Sequence, residues 1–324
     1  MPQVVCFGEL LVDMVSEADV SLAAALRFLK APGGAPANVA VGLQRLGVST
    51  RFVGQVGFDP FGDWLHEIVA QEKVDVEYLL RSEAARTTIA FVATRGDGKK
   101  DICFYRNPGA DALFPVEAAT SEVLADAKVF HCGSVSLSES PSRDAQFLLA
   151  NLAREKGVLV SFDPNWRPSL WDDHGLAHQL IWKMMKFSDV VKIADEEWEF
   201  ITGTSDLRKG AKKIHEAGPK LVLVTRGAHG AFFDCVSGSG EVHGEVAGFS
   251  VTAIDTLGAG DAFVAGLISQ ILEYSDFAEA STKRNLHAAL RFAHACGALA
   301  TTASGAIPSL PMRPRVEEFL SAHS

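Results

Sequence analysis

Short apolar runs alternate with stretches of helical periodicity along most of the chain. Runs rich in Val, Ile, Leu and Phe predict strands, and apolar residues repeated every three to four positions predict helices. The predicted strands span residues 4–11, 51–56, 129–133, 159–163, 190–193 and 221–225, and the predicted helices span residues 37–46, 61–72, 142–156 and 196–202. This alternation indicates an α/β fold, with a mainly parallel sheet between two layers of helices in a three-layer α/β/α core.

Two neighbouring runs break the alternation. Residues 88–94 and 101–106 both predict strands, and they flank residues 95–100, which contain Gly96-Asp97-Gly98. Consecutive strands around such a turn predict a β-hairpin. Together with the segment after Val12, the hairpin is expected to form a small β lid from about residues 12–32 and 86–108. No linker or repeat divides the chain, so we expect a single domain over residues 1–324.

A glycine-rich loop, Asp255-Thr-Leu-Gly-Ala-Gly-Asp261, lies between an apolar run at 249–254 that predicts a strand and a helical pattern at 262–272. Free N–H groups at a helix N-terminus bind anions, and Gly258 and Gly260 let a phosphate approach the backbone. Asp261 adds a carboxylate that can take a proton from an attacking hydroxyl group. The loop therefore predicts phosphoryl transfer to an alcohol. The alternative is a glycine-rich turn in which Asp261 only caps the helix.

Bulk properties exclude several classes of protein. The net charge of −10 argues against a nucleic-acid partner, which would need a basic face. No apolar run reaches the roughly 18 residues that a membrane span requires. The N-terminus lacks the basic region of a signal peptide. The five cysteines form no C-x-x-C pair, which favours buried reduced thiols and a cytoplasmic location.

Further polar residues follow predicted strands, where ligands of parallel sheets collect. Gly33 and Gly34 open a helix that carries Asn38, and together with Asp13 they suit a polyol; Asn38 as a simple backbone cap is the alternative. The segment 161–167 carries Asp163, Asn165 and Arg167. Arg167 suits a phosphate clamp, although a plain surface loop would have the same composition.

The acidic segment 195–197 follows the predicted strand at 190–193. Glu197 suits a water ligand of Mg²⁺, but acids at a helix start also complement the helix dipole whatever the function. No G-x-x-x-x-G-K-[ST] and no protein-kinase series is present. His174 and His178 lack further metal-ligand partners nearby and are interpreted as a surface feature.

The two glycine loops, Gly33-Gly34…Asn38 and Asp255-Thr…Gly-Ala-Gly-Asp261, resemble those of the ribokinase-like (PfkB) family of sugar and nucleoside kinases. Residues 33–40, 104–111 and 162–167 are most similar to the fructokinases of that family. The resemblance implies a ribokinase-like fold and the use of ATP and Mg²⁺, with K⁺ as a further cofactor.

The resemblance also implies roles for individual residues. Asp261 would be the base, and the N–H groups of Gly258, Ala259 and Gly260 would form an anion hole beside Arg167. The implied sugar-binding residues are Asp13, Gly33, Gly34, Asn38, Arg106 and Asp261. The implied nucleotide-binding residues are Asn165, Lys192, Glu197, Thr225, Arg226, Gly227, Gly230, Gly258, Gly260 and His294. The implied K⁺ site consists of Asp255, Leu257, Ala300, Ala303, Gly305 and Ser309, mostly through backbone carbonyl groups. Ala194 departs from the family's N-x-x-E motif, which weakens the support for Glu197.

The resulting hypothesis is an ATP-dependent fructokinase that makes fructose 6-phosphate. Two alternatives stay open: a related kinase for ribose, 2-keto-3-deoxygluconate or aminoimidazole riboside, and a catalytically silent sugar-binding regulator. We expect a sugar and ATP as partners, with no nucleic acid and no membrane. An exposed apolar face of the lid is a candidate for a homodimer contact.

Overall fold

The computed structural model describes residues 1–17, 20–95, 100–237 and 240–323. Its strands are β1 Val4–Phe7, β2 Leu11–Ser16, β3 Phe28–Gly33, β4 Thr50–Gly57, β5 Leu79–Ser82, β6 Ile89–Thr94, β7 Lys100–Tyr105, β8 Val129–Cys132, β9 Leu159–Phe162, β10 Val190–Ala194, β11 Leu221–Thr225, β12 Ala231–Ser237 and β13 Gly240–Val246. Its α-helices are α1 Ala35–Arg45, α2 Pro60–Gln71, α3 Ser142–Glu155, α4 His174–Met185, α5 Asp195–Thr202, α6 Leu207–Ala217, α7 Ala259–Ile271, α8 Phe277–Ala280, α9 Lys283–Ala300, α10 Ala306–Ser309 and α11 Arg313–Ala322.

Nine strands form the central sheet, in the order β13-β12-β11-β10-β9-β8-β1-β4-β5. The pairs from β11 to β5 are parallel, whereas β11–β12 and β12–β13 are antiparallel. The sequence analysis predicted the parallel part but not the antiparallel pair at the edge. The parallel strands bring their carboxyl ends to one edge of the sheet, and this edge carries the site described below.

Alternate residues of each central strand pack on opposite faces of the sheet, because successive side chains of a strand point in opposite directions. In β1, Val5 and Phe7 belong to one buried cluster and Val4 and Cys6 to another. Helices α3, α4, α5 and α6 cover the first face, and α1, α2, α7, α9 and α11 cover the second. The predicted three-layer α/β/α arrangement is confirmed.

A second, four-stranded sheet has the order β3-β2-β6-β7 and is called the small sheet below. The predicted hairpin is present as the antiparallel pair β6–β7, and β2 pairs with β6 in parallel. The Gly96-Asp97-Gly98 turn lies outside the described residues. The four strands fall within or next to the ranges that were predicted for a lid.

Two predicted strands are wrong. The run 4–11 is not one strand, because the chain leaves the central sheet after Phe7 and enters the small sheet at Leu11. The run 249–254 forms no strand. Its backbone bonds go elsewhere, with Ile254 N–H donating to the Thr301 carbonyl group at 2.7 Å, and the Ile254 side chain is 68% exposed. The glycine-rich loop is therefore preceded by irregular chain.

Cys103 is an exposed thiol on β7, which differs from the expectation of buried thiols, while Cys6, Cys132, Cys235 and Cys296 are buried as expected. Within the described part of the chain, no helix combines the length and apolar character that crossing a bilayer requires.

Candidate active site

A cavity of about 820 Å³ lies between the carboxyl ends of the central strands and the small sheet. The central sheet contributes residues that end or follow β1, β9, β10 and β11, namely Glu9, Asn165, Arg167, Lys192, Ala194 and Thr225. The small sheet contributes Leu11, Asp13, Ala90, Val92, Lys100, Ile102 and Phe104. One side of the small sheet therefore forms a wall of the cavity, opposite the strand ends.

Helix α7 begins at this cavity, and Gly258 is its N-cap. Gly258 has a left-handed φ of 79°, and a side chain there would come within 3.0 Å of the Ala306 backbone. Ala262 donates to the Gly258 carbonyl group at 2.8 Å. Ala259 N–H donates to the Thr256 carbonyl group at 3.4 Å. The N–H groups before Ala262 precede the hydrogen-bond ladder of the helix, so they are suited to donate to an anion at the positive end of the helix dipole.

The Asp261 side chain lies in the first turn of α7, in contact with α1. Asn38 donates from Nδ2 to Asp261 Oδ2 at 2.7 Å, although the two residues are 223 positions apart in the sequence. Burial raises the pKa of Asp261 to about 6; the Asn38 hydrogen bond lowers it and the nearby Asp163 carboxylate raises it further. A carboxylate of this basicity is suited to accept a proton near neutral pH.

Two more acids, Asp13 and Glu9, line the cavity. Burial raises the pKa of Asp13 to about 7, partly against the effect of the Arg167 guanidinium group. Burial also raises the pKa of Glu9 to about 7. Glu9 Oε1 accepts the Ala35 N–H at 3.0 Å, while Oε2 is buried without a hydrogen-bond partner among the described atoms. This end of the cavity can accept hydrogen bonds from several hydroxyl groups.

The cavity wall opposite the small sheet carries a buried ion pair. Lys192 Nζ lies 3.0 Å from Asp163 Oδ2, and both side chains are buried. Burial opposes the charge on Lys192, but the carboxylates of Asp163, Glu197 and Asp261 together outweigh this effect and keep the Lys192 pKa above its ordinary value. Glu197 accepts the Trp166 N–H at 2.6 Å, and burial with the nearby Asp163 raises the pKa of Glu197.

A third region of the cavity joins β11 to α9. It includes Thr225, Gly227, Phe263 and His294. His294 packs edge-on against Phe263 with ring centroids 5.0 Å apart, and its Nε2 is buried without a partner among the described atoms. Burial and then the charge of Arg226 lower the His294 pKa to about 4, so the imidazole is neutral at physiological pH. A flat aromatic ligand suits this region.

Most of the predicted site residues meet in the cavity. The lining includes Asp13, Gly34, Asn38, Asn165, Arg167, Lys192, Glu197, Thr225, Gly227, Leu257, Gly258, Ala259, Gly260, Asp261 and His294. Nine predicted residues are absent from the described lining of the cavity: Gly33, Arg106, Arg226, Gly230, Asp255, Ala300, Ala303, Gly305 and Ser309.

Arg106 differs most from its predicted environment. Its guanidinium group is almost completely buried, with Nε donating to Asp111 at 2.8 Å and Nη1 donating to Ser138 and Glu139 at 2.9 and 3.0 Å. These contacts hold the end of β7 against the core. Arg226 likewise turns away from the cavity, to Glu245 of β13 at 3.0 Å.

The six positions predicted for K⁺ lie in two segments, one just before α7 and one from the end of α9 to the end of α10. Asp255 Oδ1 accepts the Leu257 N–H at 2.9 Å, and Oδ2 accepts the Gly305 N–H at 3.0 Å. Although burial alone would raise the Asp255 pKa, these two hydrogen bonds and the Lys100 ammonium group together outweigh it and lower the pKa. Lys100 Nζ of the small sheet also contacts Asp255 Oδ1, at 3.5 Å.

The sequence analysis missed some lining residues. Glu9 lies two residues after β1, but the predicted strand at 4–11 contained it, so the rule that ligands collect after parallel strands did not identify it. Lys100 and Phe104 line the cavity from β7. Their sequence positions only indicated a hairpin, and nothing in the local pattern showed which side of that hairpin faces the core.

Comparisons with known proteins show the family to which the chain belongs. The model of the pfkB family carbohydrate kinases matches residues 1–313. The chain is 43% identical over 319 residues to probable fructokinase-2 of Arabidopsis thaliana, across 98% of this chain and 95% of that protein. Its fold matches the fructokinase of Xylella fastidiosa with bound ATP at a TM-score of 0.90 and 35% identity, covering 100% of this chain and 99% of that one.

A further solved structure, the fructokinase of Vibrio cholerae O395 with fructose, ADP and calcium ion, matches at a TM-score of 0.87 and 34% identity, over 99% of both chains. A double mutant of that enzyme, with fructose, ADP and potassium ion, matches at a TM-score of 0.87 and 33% identity, over 99% and 98%. These matches confirm the ribokinase-like fold and the family resemblance. The chain belongs to the pfkB family of carbohydrate kinases.

Proposed function

We propose that this protein is an ATP-dependent fructokinase that converts fructose to fructose 6-phosphate. The observation that carries the proposal is the position of the Asp261 carboxylate in the first turn of α7, beside N–H groups that precede the helical ladder. The Arabidopsis relative is named a probable fructokinase, and the Vibrio enzyme was solved with fructose and ADP, which supports fructose as the acceptor.

In the proposed reaction, the Asp261 carboxylate takes the proton of the sugar hydroxyl group. The hydroxyl oxygen forms a bond to the γ-phosphorus of ATP, the bond from that phosphorus to the bridging oxygen breaks, and ADP leaves with the bond's electron pair. The N–H groups of Gly258, Ala259 and Gly260, together with Arg167, offset the negative charge of the transferring group. Positioning and electrostatic stabilisation supply most of the catalysis.

The sugar is expected to bind between the small sheet and α1. Asp13 and Asn38 offer hydrogen-bonding groups to its hydroxyls. Gly34 has a φ of 110°, and a side chain there would lie 2.3 Å from the Glu9 carbonyl oxygen, so the close approach of these segments requires glycine. Gly33 lies against the Asp13 carboxylate, which a side chain at Gly33 would displace.

The nucleotide is expected to lie over the ends of β10 and β11. Thr225, Gly227 and His294 line the part that suits adenine, and Asn165 and Lys192 lie toward the phosphates. Arg226 and Gly230 contribute through the shape of the turn after β11, because Gly230 packs against the Val246 carbonyl group.

Glu197 fits a role toward Mg²⁺, since its buried carboxylate lines the cavity near Lys192 and Mg²⁺ keeps several of its own water molecules. When bound, the ion neutralises charge on the ATP phosphates. The loop of Asp255, Leu257 and Gly305, with Ala300, Ala303 and Ser309 beside it, fits K⁺, because its hydrogen bonds keep carbonyl-rich segments together. K⁺ there would stabilise the start of α7.

The proposal is tested by measuring ADP release from Mg²⁺·ATP with fructose, ribose, glucose, 2-keto-3-deoxygluconate and aminoimidazole riboside, with and without K⁺. The account expects the highest kcat/KM with fructose. A higher value with another acceptor would assign a different sugar to the same site. Sugar binding without ADP formation would identify a silent regulator instead. The cytoplasmic location and the homodimer contact through the small sheet stay predictions.

A further inference from the structure

Asn165 and Arg167 reach the cavity from the same short loop, and Trp166 lies between them. The loop follows β9 and spans residues 163–167, before a 3-10 helix at Pro168–Leu170. Asn165 and Arg167 line the cavity, whereas Trp166 does not occur among its described lining residues. Alternate residues of the loop therefore have different surroundings.

Trp166 is attached to α5 at two points. Its backbone N–H donates to Glu197 Oε1 at 2.6 Å. Its indole ring stacks on the Phe200 ring with centroids 3.7 Å apart and planes within 5° of parallel. Glu197 and Phe200 are three residues apart, so they lie on the same face of α5. The ring of His174 on α4 makes a second contact with the indole ring, edge-on, with centroids 5.3 Å apart and planes at 83°.

The Arg167 side chain forms hydrogen bonds within its own loop. Its Nη1 donates to the carbonyl groups of Asn165 and Trp166 at 3.4 and 3.3 Å, both within its own loop. Asn165 has a left-handed φ of 43°, a conformation that asparagine adopts more readily than most other non-glycine residues. The Asn165 N–H donates to Asp163 Oδ1 at 3.1 Å, which is a contact within the loop. The contacts of the indole ring, in contrast, attach the loop to α5.

We propose that Trp166 and Phe200 form an aromatic clamp that positions Arg167 for phosphoryl transfer. The inference rests on the proposed function, because it assigns Trp166 a role only through the guanidinium group of Arg167. Trp166 is a positioning residue and does not contact the substrate. Loss of the indole ring releases residues 165–167 from α5 and moves the guanidinium group away from the transferring phosphate.

The test compares Trp166→Ala, Trp166→Phe and Phe200→Ala with the wild type, using whichever sugar of the panel the wild type phosphorylates. The test therefore remains valid even if the substrate is a sugar other than fructose. We expect Trp166→Ala and Phe200→Ala to lower kcat by about 10²-fold with the sugar KM within about threefold, because small misplacements of a catalytic group are costly. Trp166→Phe keeps a stacking ring and should retain kcat within about threefold.

A double-mutant cycle separates positioning from general damage to the fold. In an Arg167→Ala background, Trp166→Ala should lower kcat by less than about threefold, because the group that it positions is already absent. Phe187→Ala is the matched control, since Phe187 forms an aromatic pair with Phe147, at 6.0 Å, that has no part in the loop. It should leave kcat unchanged.

Wild-type kcat in Trp166→Ala, or the full loss again in the Arg167→Ala background, would overturn the proposal. If Trp166→Ala does not fold, as judged by circular dichroism and thermal unfolding, Phe200→Ala supplies the same comparison from outside the loop. A wild-type kcat in a folded Phe200→Ala variant would then overturn the clamp.

Discussion

Burial gives Asp261 a basicity that an exposed aspartate lacks. A general base works best when its pKa lies close to the working pH, and the buried position of Asp261 brings the pKa to about 6. The Asn38 hydrogen bond orients the carboxylate and limits the rise in pKa, since it stabilises the charged form. The Asn38 contact therefore orients the carboxylate, whereas burial is the main cause of its raised pKa.

The pH dependence of turnover follows from this pKa. Only the ionised Asp261 can accept the hydroxyl proton, so kcat should fall about tenfold per pH unit below a pH of about 6 and should level off above it. Steady-state rates between pH 5 and pH 8.5 with saturating sugar and ATP test this. A rate that stays constant down to pH 5 would contradict Asp261 as the base.

The same burial predicts that Asp261→Asn stabilises the protein at alkaline pH. Because the folded pKa of Asp261 lies above the ordinary value, its protonated form contributes stability that is lost as the pH rises through about 6. The variant has no charge to bury, so its Tm at pH 8 should exceed that of the wild type by about 2–5 °C, and the difference should shrink as the pH is lowered through 6.

Thermal unfolding at pH 5, 6.5 and 8 measures this effect. Asp144→Asn, a substitution of an exposed aspartate on α3, is the control and should show no such trend. A lower Tm for Asp261→Asn at pH 8 would show that the carboxylate stabilises the fold, contrary to the account.

At the scale of elements, the small sheet is fixed to the core at both ends of β7. Lys100 at its start contacts Asp255, and Arg106 just after its end contacts Asp111 and Glu139. The first contact is partly exposed, whereas the Arg106–Asp111 pair is almost completely buried. Buried pairs are costly to break because the remaining charge loses its partner. The Arg106 end is therefore the stronger attachment.

We predict that Arg106→Met lowers the free energy of unfolding by about 3–5 kcal/mol, because it leaves the buried Asp111 carboxylate without a cation. Urea unfolding measures the change, and Arg86→Met, at an exposed position near the start of β6, is the control. A variant of wild-type stability whose fructose KM rises more than about tenfold would instead support direct sugar binding by Arg106.

Elements with a strong period were predictable, and those whose surroundings decide their structure were not. The predicted strand at 221–225 coincides with β11, because its apolar side chains pack alternately on the two faces of the sheet. The run 249–254 has a similar composition, but its residues are mostly exposed and its backbone bonds to Thr301 instead of to a sheet. The apolar pattern alone does not show whether a neighbouring strand is available.

At the scale of the whole molecule, the rule that ligands collect after parallel strands predicted the edge of the sheet at which the cavity lies. It brought Asn165, Lys192 and Thr225 to one cavity before any contact was known. The partners of Arg106 and the stack of Trp166 on Phe200 were not predictable, because they join side chains of separate elements and leave no periodic trace in the sequence.

The small sheet exposes apolar side chains at both of its edges, which favours a homodimer. Leu29 on β3 is 60% exposed and Tyr105 on β7 is 67% exposed. We predict a dimer in solution that Leu29→Glu converts to a monomer, because a buried unpaired charge disfavours the interface. Light scattering after size exclusion measures the mass, with Leu148→Glu on α3 as the control. A monomeric wild type would contradict this prediction.

In the proposed reaction, Asp261 accepts the proton of the fructose hydroxyl group as the phosphoryl group moves from ATP. The most direct test of this role quantifies ADP and fructose 6-phosphate for the wild type and Asp261→Asn, with ATP binding measured in parallel. The account predicts one fructose 6-phosphate per ADP for the wild type, and a turnover about 10²–10⁴-fold lower in the variant with unchanged ATP affinity. Near-normal turnover in Asp261→Asn, or a wild type that forms no fructose 6-phosphate, would contradict it.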